Sequence, residues 1–238
     1  MIIKKFLKPI VLLLCIGVMV YALFTMENSR DPIDYFEHLE DTAVVVDSES
    51  VTFEDLAFYI LFEEGKVEEQ AKIYNKDYTK DYWNLHTDDK FVQTEAKDVV
   101  INMAIHDHLF YQMAVAEGMD SLSGVEQIEL EGSTQDFWED LLDVQWEYLP
   151  CDEETINNQI YIAAVAEKYQ NHLAEEYETS QAAYNYDGYY YEQILKEHNV
   201  KINKKLWDKL VLGDITIKHS KLNYINGLTD EEKKKSKE

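Results

Sequence analysis

The chain has 238 residues, room for one large domain or two small ones. Its 22 Lys and Arg stand against 47 Asp and Glu, a formal charge of −25, which repels phosphate backbones and sets nucleic acid aside as a partner. Hydrophobic residues at 46% supply a packed core, while 8 Gly and 3 Pro are too few for the many tight turns of a sandwich or barrel, so long helices are expected and all-β classes are excluded.

Lys4, Lys5 and Lys8 precede an uncharged apolar run over 9–26 that has no polar stripe and is long enough to span a bilayer. Every acid follows it, since Glu27 is the first, so the positive-inside bias puts the N-terminus in the cytoplasm and the acidic body outside. The bulky residues of Ala22-Leu23-Phe24 and Phe24-Thr25-Met26 do not suit a signal peptidase, which favours an uncleaved single-pass anchor; cleavage would make the body secreted. Leu12-Leu13-Leu14 before Cys15 argues against lipidation, and Cys151, the only other thiol, leaves no disulfide for the exterior body.

The body is expected to open with a buried strand at Ala43-Val44-Val45-Val46, a turn at Asp47-Ser48-Glu49-Ser50, and a helix entered through Thr52 and Asp55 as a capping box. That helix carries an apolar stripe of Phe53, Leu56, Ala57, Ile60, Leu61, Val67, Ala71 and Tyr74, with Gly65 placed to kink it. A connector over 78–90 leads to a second helix over 91–118 whose apolar face is wide enough for a central position, with Gly118 as its stop. Ser123 and Glu126 form a second capping box, opening a segment to 149 interrupted at Gly132-Ser133 and ended by Pro150. Asp152 caps a further helix with the stripe Ile162, Val165, Ala166, Tyr169, Leu173 and Tyr177. A Tyr-rich stretch over 184–191 leads into a short helix ending near His198. Val200-Lys201-Ile202 reads as extended, 206–210 as a helical turn and Asp214-Ile215-Thr216-Ile217 as a last strand.

In several places these residues resemble the extracytoplasmic chaperone and foldase family of SurA and PrsA. Val44-Val45-Val46-Asp47 followed by Val51-Thr52-Phe53-Glu54-Asp55-Leu56 is similar to the family's opening strand, turn and helix start. Ala116-Glu117-Gly118-Met119 resembles a helix end of that family, and Leu122-Ser123 with Glu126 the entry that follows. Val200-Lys201-Ile202-Asn203, Trp207 and Gly213-Asp214-Ile215-Thr216-Ile217 are similar to its returning strand. The turn departs from the family's Asn-Gly or Asp-Gly, and no Gly-rich, strand-rich segment is long enough for the parvulin-type isomerase domain of its catalytic members.

The resemblance implies a mostly α fold, a multi-helix SurA N-terminal-like chaperone domain with a minimal β element pairing an N-terminal strand with a C-terminal one. The expected organisation is a basic stub and signal-anchor at 1–26, a linker at 27–42, a helical peptide-binding domain at 43–217 and a charged, disordered tail at 218–238. The expected function is binding of non-native or extended polypeptide segments of secreted or envelope proteins, basic or aromatic-rich ones among them, without catalysis and with membrane attachment through the N-terminal helix. The alternatives are a dedicated scaffold or assembly factor for one envelope protein and a divergent peptidyl-prolyl isomerase. Candidate client-binding residues are Met103, Phe110, Met113, Phe137, Trp138, Trp146 and Tyr189, since a groove of Met and aromatic side chains holds apolar segments without demanding one sequence.

No catalytic residue, metal or cofactor is expected. His106 and His108, two apart on a helix, face different ways and cannot clamp one ion, and His106 falls on a line with Glu95, Asp98 and Asn102 that reads as a solvated face. The pairs Glu63-Glu64, Asp88-Asp89 and Glu153-Glu154 read as solvated helix faces too. Residues 77–89 lack the order of a calcium loop, and the acids beside Cys151 oppose a thiolate.

Overall fold

A computed structural model describes residues 32–87 and 89–219. The expected anchor at 1–26 and nearly all of the charged tail lie outside the described residues. The chain runs β1 (Thr42–Val46), β2 (Glu49–Thr52), α1 (Ala57–Asn75), α2 (Thr79–Trp83), β3 (His86–Thr87), β4 (Lys90–Phe91), α3 (Val92–Ala116), α4 (Gly124–Asp140), α5 (Asp143–Glu147), α6 (Glu153–Glu176), α7 (Tyr189–Leu195), β5 (Val200–Ile202) and α8 (Lys204–Trp207). The fold is mostly helical with small sheets.

β1 is the middle strand of a three-stranded antiparallel sheet ordered β2-β1-β5, with Val44 opposite Val51 on one side and Ile202 on the other. The β1–β2 turn is made without glycine. Asp47 takes φ +54°, and its carboxylate accepts the Asn199 N–H at 2.8 Å and lies 2.7 Å from His198 Nδ1. Those bonds, the Asn199 amide first, hold the Asp47 carboxyl below its ordinary range and tie the turn to the entry of β5.

The Thr52–Asp55 box forms, with Thr52 N–H on Asp55 Oδ2 at 2.8 Å and Asp55 N–H on Thr52 Oγ1 at 3.1 Å, yet it closes a tight turn and regular helix begins only at Ala57. α3 is the central helix. Ala96, Ala104 and Ala114 let neighbours approach, and Val100, Ile105, Leu109 and Phe110 are buried between α1, α6 and the sheet. It stops at Gly118, φ +71°, where the Met119 N–H reaches Ala114 O at 2.8 Å and the Gly118 N–H reaches Val115 O at 3.1 Å.

Several expectations are corrected. His106 and His108 are not on a solvated face: both are buried, because α3 is covered on several sides. His106 Nε2 lies 2.9 Å from Tyr184 O, and His108 Nε2 lies 3.0 Å from Gln159 Oε1. α4 runs through Gly132-Ser133 without interruption and breaks instead at Leu141-Leu142, whose extended backbone starts α5. Residues 32–41 are no spacer, since the Ile33 N–H bonds Lys209 O at 3.3 Å and the buried Tyr35 donates its hydroxyl to Phe53 O.

Another correction concerns 213–217, which is not a strand. Its amides find a side chain instead of a neighbouring strand. Glu64 Oε1 accepts from Gly213 N at 2.5 Å and Ile215 N at 3.2 Å, and Oε2 accepts from Thr216 N at 2.7 Å and from the Thr216 hydroxyl at 2.5 Å. Glu63 and Glu64 are thus buried, not solvated. Burial pushes the Glu64 carboxyl up, against the pull of those donors. Gly213 sits at φ +88° with the Trp83 ring where a Cβ would go, 2.5 Å from its nearest carbons, and Trp83 in turn donates Nε1–H to buried Glu68 at 2.9 Å.

Candidate functional site

α1, α4 and α6 do not close on one another. Between them lies an open groove of about 910 Å³. The reason is α4: its apolar residues are few and widely spaced, so it buries no residue fully, and Val125 and Ile128 on its far side are 68% and 70% exposed. Leu130 and Phe137 on α4, with Leu141 just past its end, face Phe58, Leu61 and Phe62 on α1, and Ile160, Ala163 and Ala164 of α6 complete an apolar floor. The rings form a ladder. Phe62 to Phe58 is 6.4 Å, Phe58 to Phe137 5.2 Å, Phe137 to Trp138 5.3 Å and Trp138 to Trp146 5.1 Å between centroids.

The ends of α4 are fastened. At its start the capping box holds, with Ser123 N–H on Glu126 Oε2 at 2.6 Å, and Lys168 from α6 reaches Ser121 O at 2.7 Å and Glu126 Oε2 at 3.3 Å. The Ser123 amide, then its hydroxyl and Lys168, keep the Glu126 carboxyl below its ordinary range. At its end Trp138 Nε1–H donates to Asn157 Oδ1 at 2.8 Å. Beyond the break, the buried Gln145 accepts the Leu142 N–H at 3.2 Å and donates to Leu61 O at 2.9 Å and Thr216 Oγ1 at 3.1 Å. α1 runs through Gly65 without a break; a Cβ there would come to 3.3 Å from Gln145 Oε1, so glycine at this place makes room for the carboxamide at the groove's end.

Of the seven candidate residues, the structure gathers three. Phe137 lines the groove, and Trp138 and Trp146 extend its aromatic wall, with Trp146 43% exposed. Phe110 is fully buried against His106, Tyr169 and Tyr191 and belongs to the core. Met103 and Met113 are half-buried against that same core, and Tyr189 stands exposed on α7 beside Tyr190, away from the groove. Phe58 and Phe62 were missed, although their spacing of four, off the main stripe of α1, marks a second apolar face.

Among the described residues no group of His, Cys, Asp and Glu is arranged to hold a metal ion. Cys151, half-buried with Sγ 4.0 Å from Glu54 O, has its thiol pushed up to about 12 by burial first and then by Glu54, Asp152 and Asp55. What the groove offers chemically is apolar contact area with carboxylates at its edge. Set against models of protein families, curated proteins and solved structures, the chain finds no match.

Proposed function

We propose that this groove binds apolar segments of non-native polypeptide, as a chaperone-like activity of binding and release. The observation that carries the reading is the open groove of about 910 Å³ beside a helix with no fully buried residue. A wall of aromatic side chains accepts many sequences because area, more than hydrogen-bond geometry, sets the affinity. The resemblance of the capping and strand motifs to the SurA and PrsA family supports the same reading. Tethering by the expected anchor would place the groove at the extracytoplasmic membrane surface, where high effective concentration lets modest affinity suffice.

The test is fluorescence anisotropy of labelled apolar and aromatic peptides of unrelated sequence against the full chain in phosphatidylcholine nanodiscs, with polar peptides and empty discs as references. Micromolar, sequence-tolerant binding that falls about tenfold in Phe137→Ala is expected, since one aromatic contact is worth about 1–2 kcal/mol. No binding by the folded chain, or binding indifferent to Phe137→Ala and Phe58→Ala, overturns the proposal.

A further inference from the structure

The rim of the groove is not electrically neutral. Its two cations are engaged: Lys66 lies 3.2 Å from Glu63, and Lys168 is held by Ser121 O and Glu126. Glu129, Asp136 and Asp140 on α4 and Glu167 on α6 have no hydrogen-bond or ion-pair partner among the described residues. The three on α4 fall at i, i+7 and i+11, and Leu130, Phe137 and Leu141 fall at the same intervals one residue on. At 1.5 Å per residue, the wall presents a carboxylate row and an apolar row side by side, each about 16 Å long.

The walls also restrict the backbone of whatever enters. An extended strand buried here would need partners for its N–H and C=O groups, and helices, whose amides bond within themselves, offer no ladder of backbone partners along their sides. A helix brings its backbone bonds with it. Resting on the groove reading above, we infer that the occupant is a cationic amphipathic helix, with an apolar row packed on Phe58, Leu130, Phe137 and Leu141 and an adjacent row of Lys or Arg meeting Glu129, Asp136, Asp140 and Glu167. Adjacent rows at matching pitch are what two helices packed side by side can satisfy, whereas a strand puts alternate residues on opposite faces. The overall charge of −25 adds attraction at a distance for such a segment.

The probes are four labelled peptides of equal length and apolar content: an amphipathic helix former with Lys beside its apolar row, the same peptide with Glu for Lys, a scrambled version that keeps the charge, and one with a central proline. Binding to the full chain in phosphatidylcholine nanodiscs is read by anisotropy, and helix formation by the difference in far-ultraviolet circular dichroism on mixing. The Lys helix is expected to bind at least about tenfold tighter than the Glu and proline peptides, to gain helicity when bound, and to weaken several-fold between 50 and 300 mM salt by screening. The pair Asp136→Asn with Asp140→Asn should lower affinity for the Lys peptide and leave that for the Glu peptide equal or higher; Glu129→Gln with Glu167→Gln is the second variant should the first not fold. Equal affinity for the Lys and Glu peptides, or unimpaired binding of the proline peptide, overturns this inference and leaves the groove reading standing. Failure of all four to bind removes both.

Discussion

Replacing Glu64 by Gln keeps the shape of a fully buried side chain and removes half of its accepting capacity. The carboxylate serves four donors, two on each oxygen, at 2.5–3.2 Å. A carboxamide has one oxygen, so its NH2 faces either the Gly213 and Ile215 amides or the Thr216 amide and hydroxyl, and of these four groups only the hydroxyl can turn to accept. Each stranded donor costs about 1–3 kcal/mol, and relief from burying a charge offsets part of this, leaving a net loss of about 2 kcal/mol at neutral pH. Thr216→Val, which removes one donor and the hydroxyl that Gln145 meets, should cost a similar amount, and the double variant should show coupling of about 1 kcal/mol or more. Urea unfolding followed by tryptophan emission measures all three. The pH dependence has a definite sign. Because burial raises the carboxyl in the folded state, the stability Glu64 contributes is fully present below its unfolded pKa and is lost as pH rises through the folded one. The advantage of the native chain over Glu64→Gln should therefore be largest in acid and shrink as pH rises. A variant as stable as the native chain at neutral pH, or an advantage that grows with pH, refutes the reasoning.

Gly213→Ala places a Cβ 2.5 Å from the Trp83 ring at φ +88°, so strain and overpacking should together cost about 2–4 kcal/mol in the same unfolding assay, whereas Gly132→Ala, inside α4 with open space around it, should gain about 0.5–1 kcal/mol. Cys151, with its thiol pushed up to about 12, should alkylate with iodoacetamide at pH 8 at least about tenfold more slowly in the folded chain than in urea, as read by peptide mapping of that residue.

The helices and their caps were legible because their signals are local. Gly118 and the Ser123–Glu126 box act within one turn of chain, and the structure shows the bonds they imply. Residues whose surroundings are set by distant segments were not. His106 and His108 read as solvated because their neighbours along α3 are polar, yet Tyr184 and Gln159 arrive from elsewhere to cover and bond them. Ile215-Thr216-Ile217 has strand composition, but among the described residues no strand pairs with it, and a buried glutamate takes the Ile215 and Thr216 amides. Glu64 itself could not be told from an ordinary surface acid, since its signal is the fit of four donors 149–152 residues away. In the candidate site, aromatic density pointed to Phe137, Trp138 and Trp146. It also pointed to Phe110, because composition does not distinguish a ring facing a groove from one facing the core.

The arrangement explains why an apolar groove stays open beside a closed core. α4 has too little apolar surface to be drawn down along its length, so its position is set where it is fastened. The start is held by Lys168 and the end by Trp138 on Asn157. Past the end, Gln145 binds the helix break at Leu142, the Leu61 carbonyl in the groove wall and the Thr216 hydroxyl. Thr216 is held in turn by Glu64, so one continuous set of buried hydrogen bonds runs from the charge inside α1 through the C-terminal segment to the foot of the wall. Buried polar groups of this kind fix geometry more than they add stability, because each is costly when its partner is displaced. A purely apolar joint at Leu141-Leu142 could slide until the groove closed over its apolar lining, Phe62 and Leu130 included. The hydrogen-bonded joint resists that collapse, and the apolar surface it keeps open is what a binding function requires.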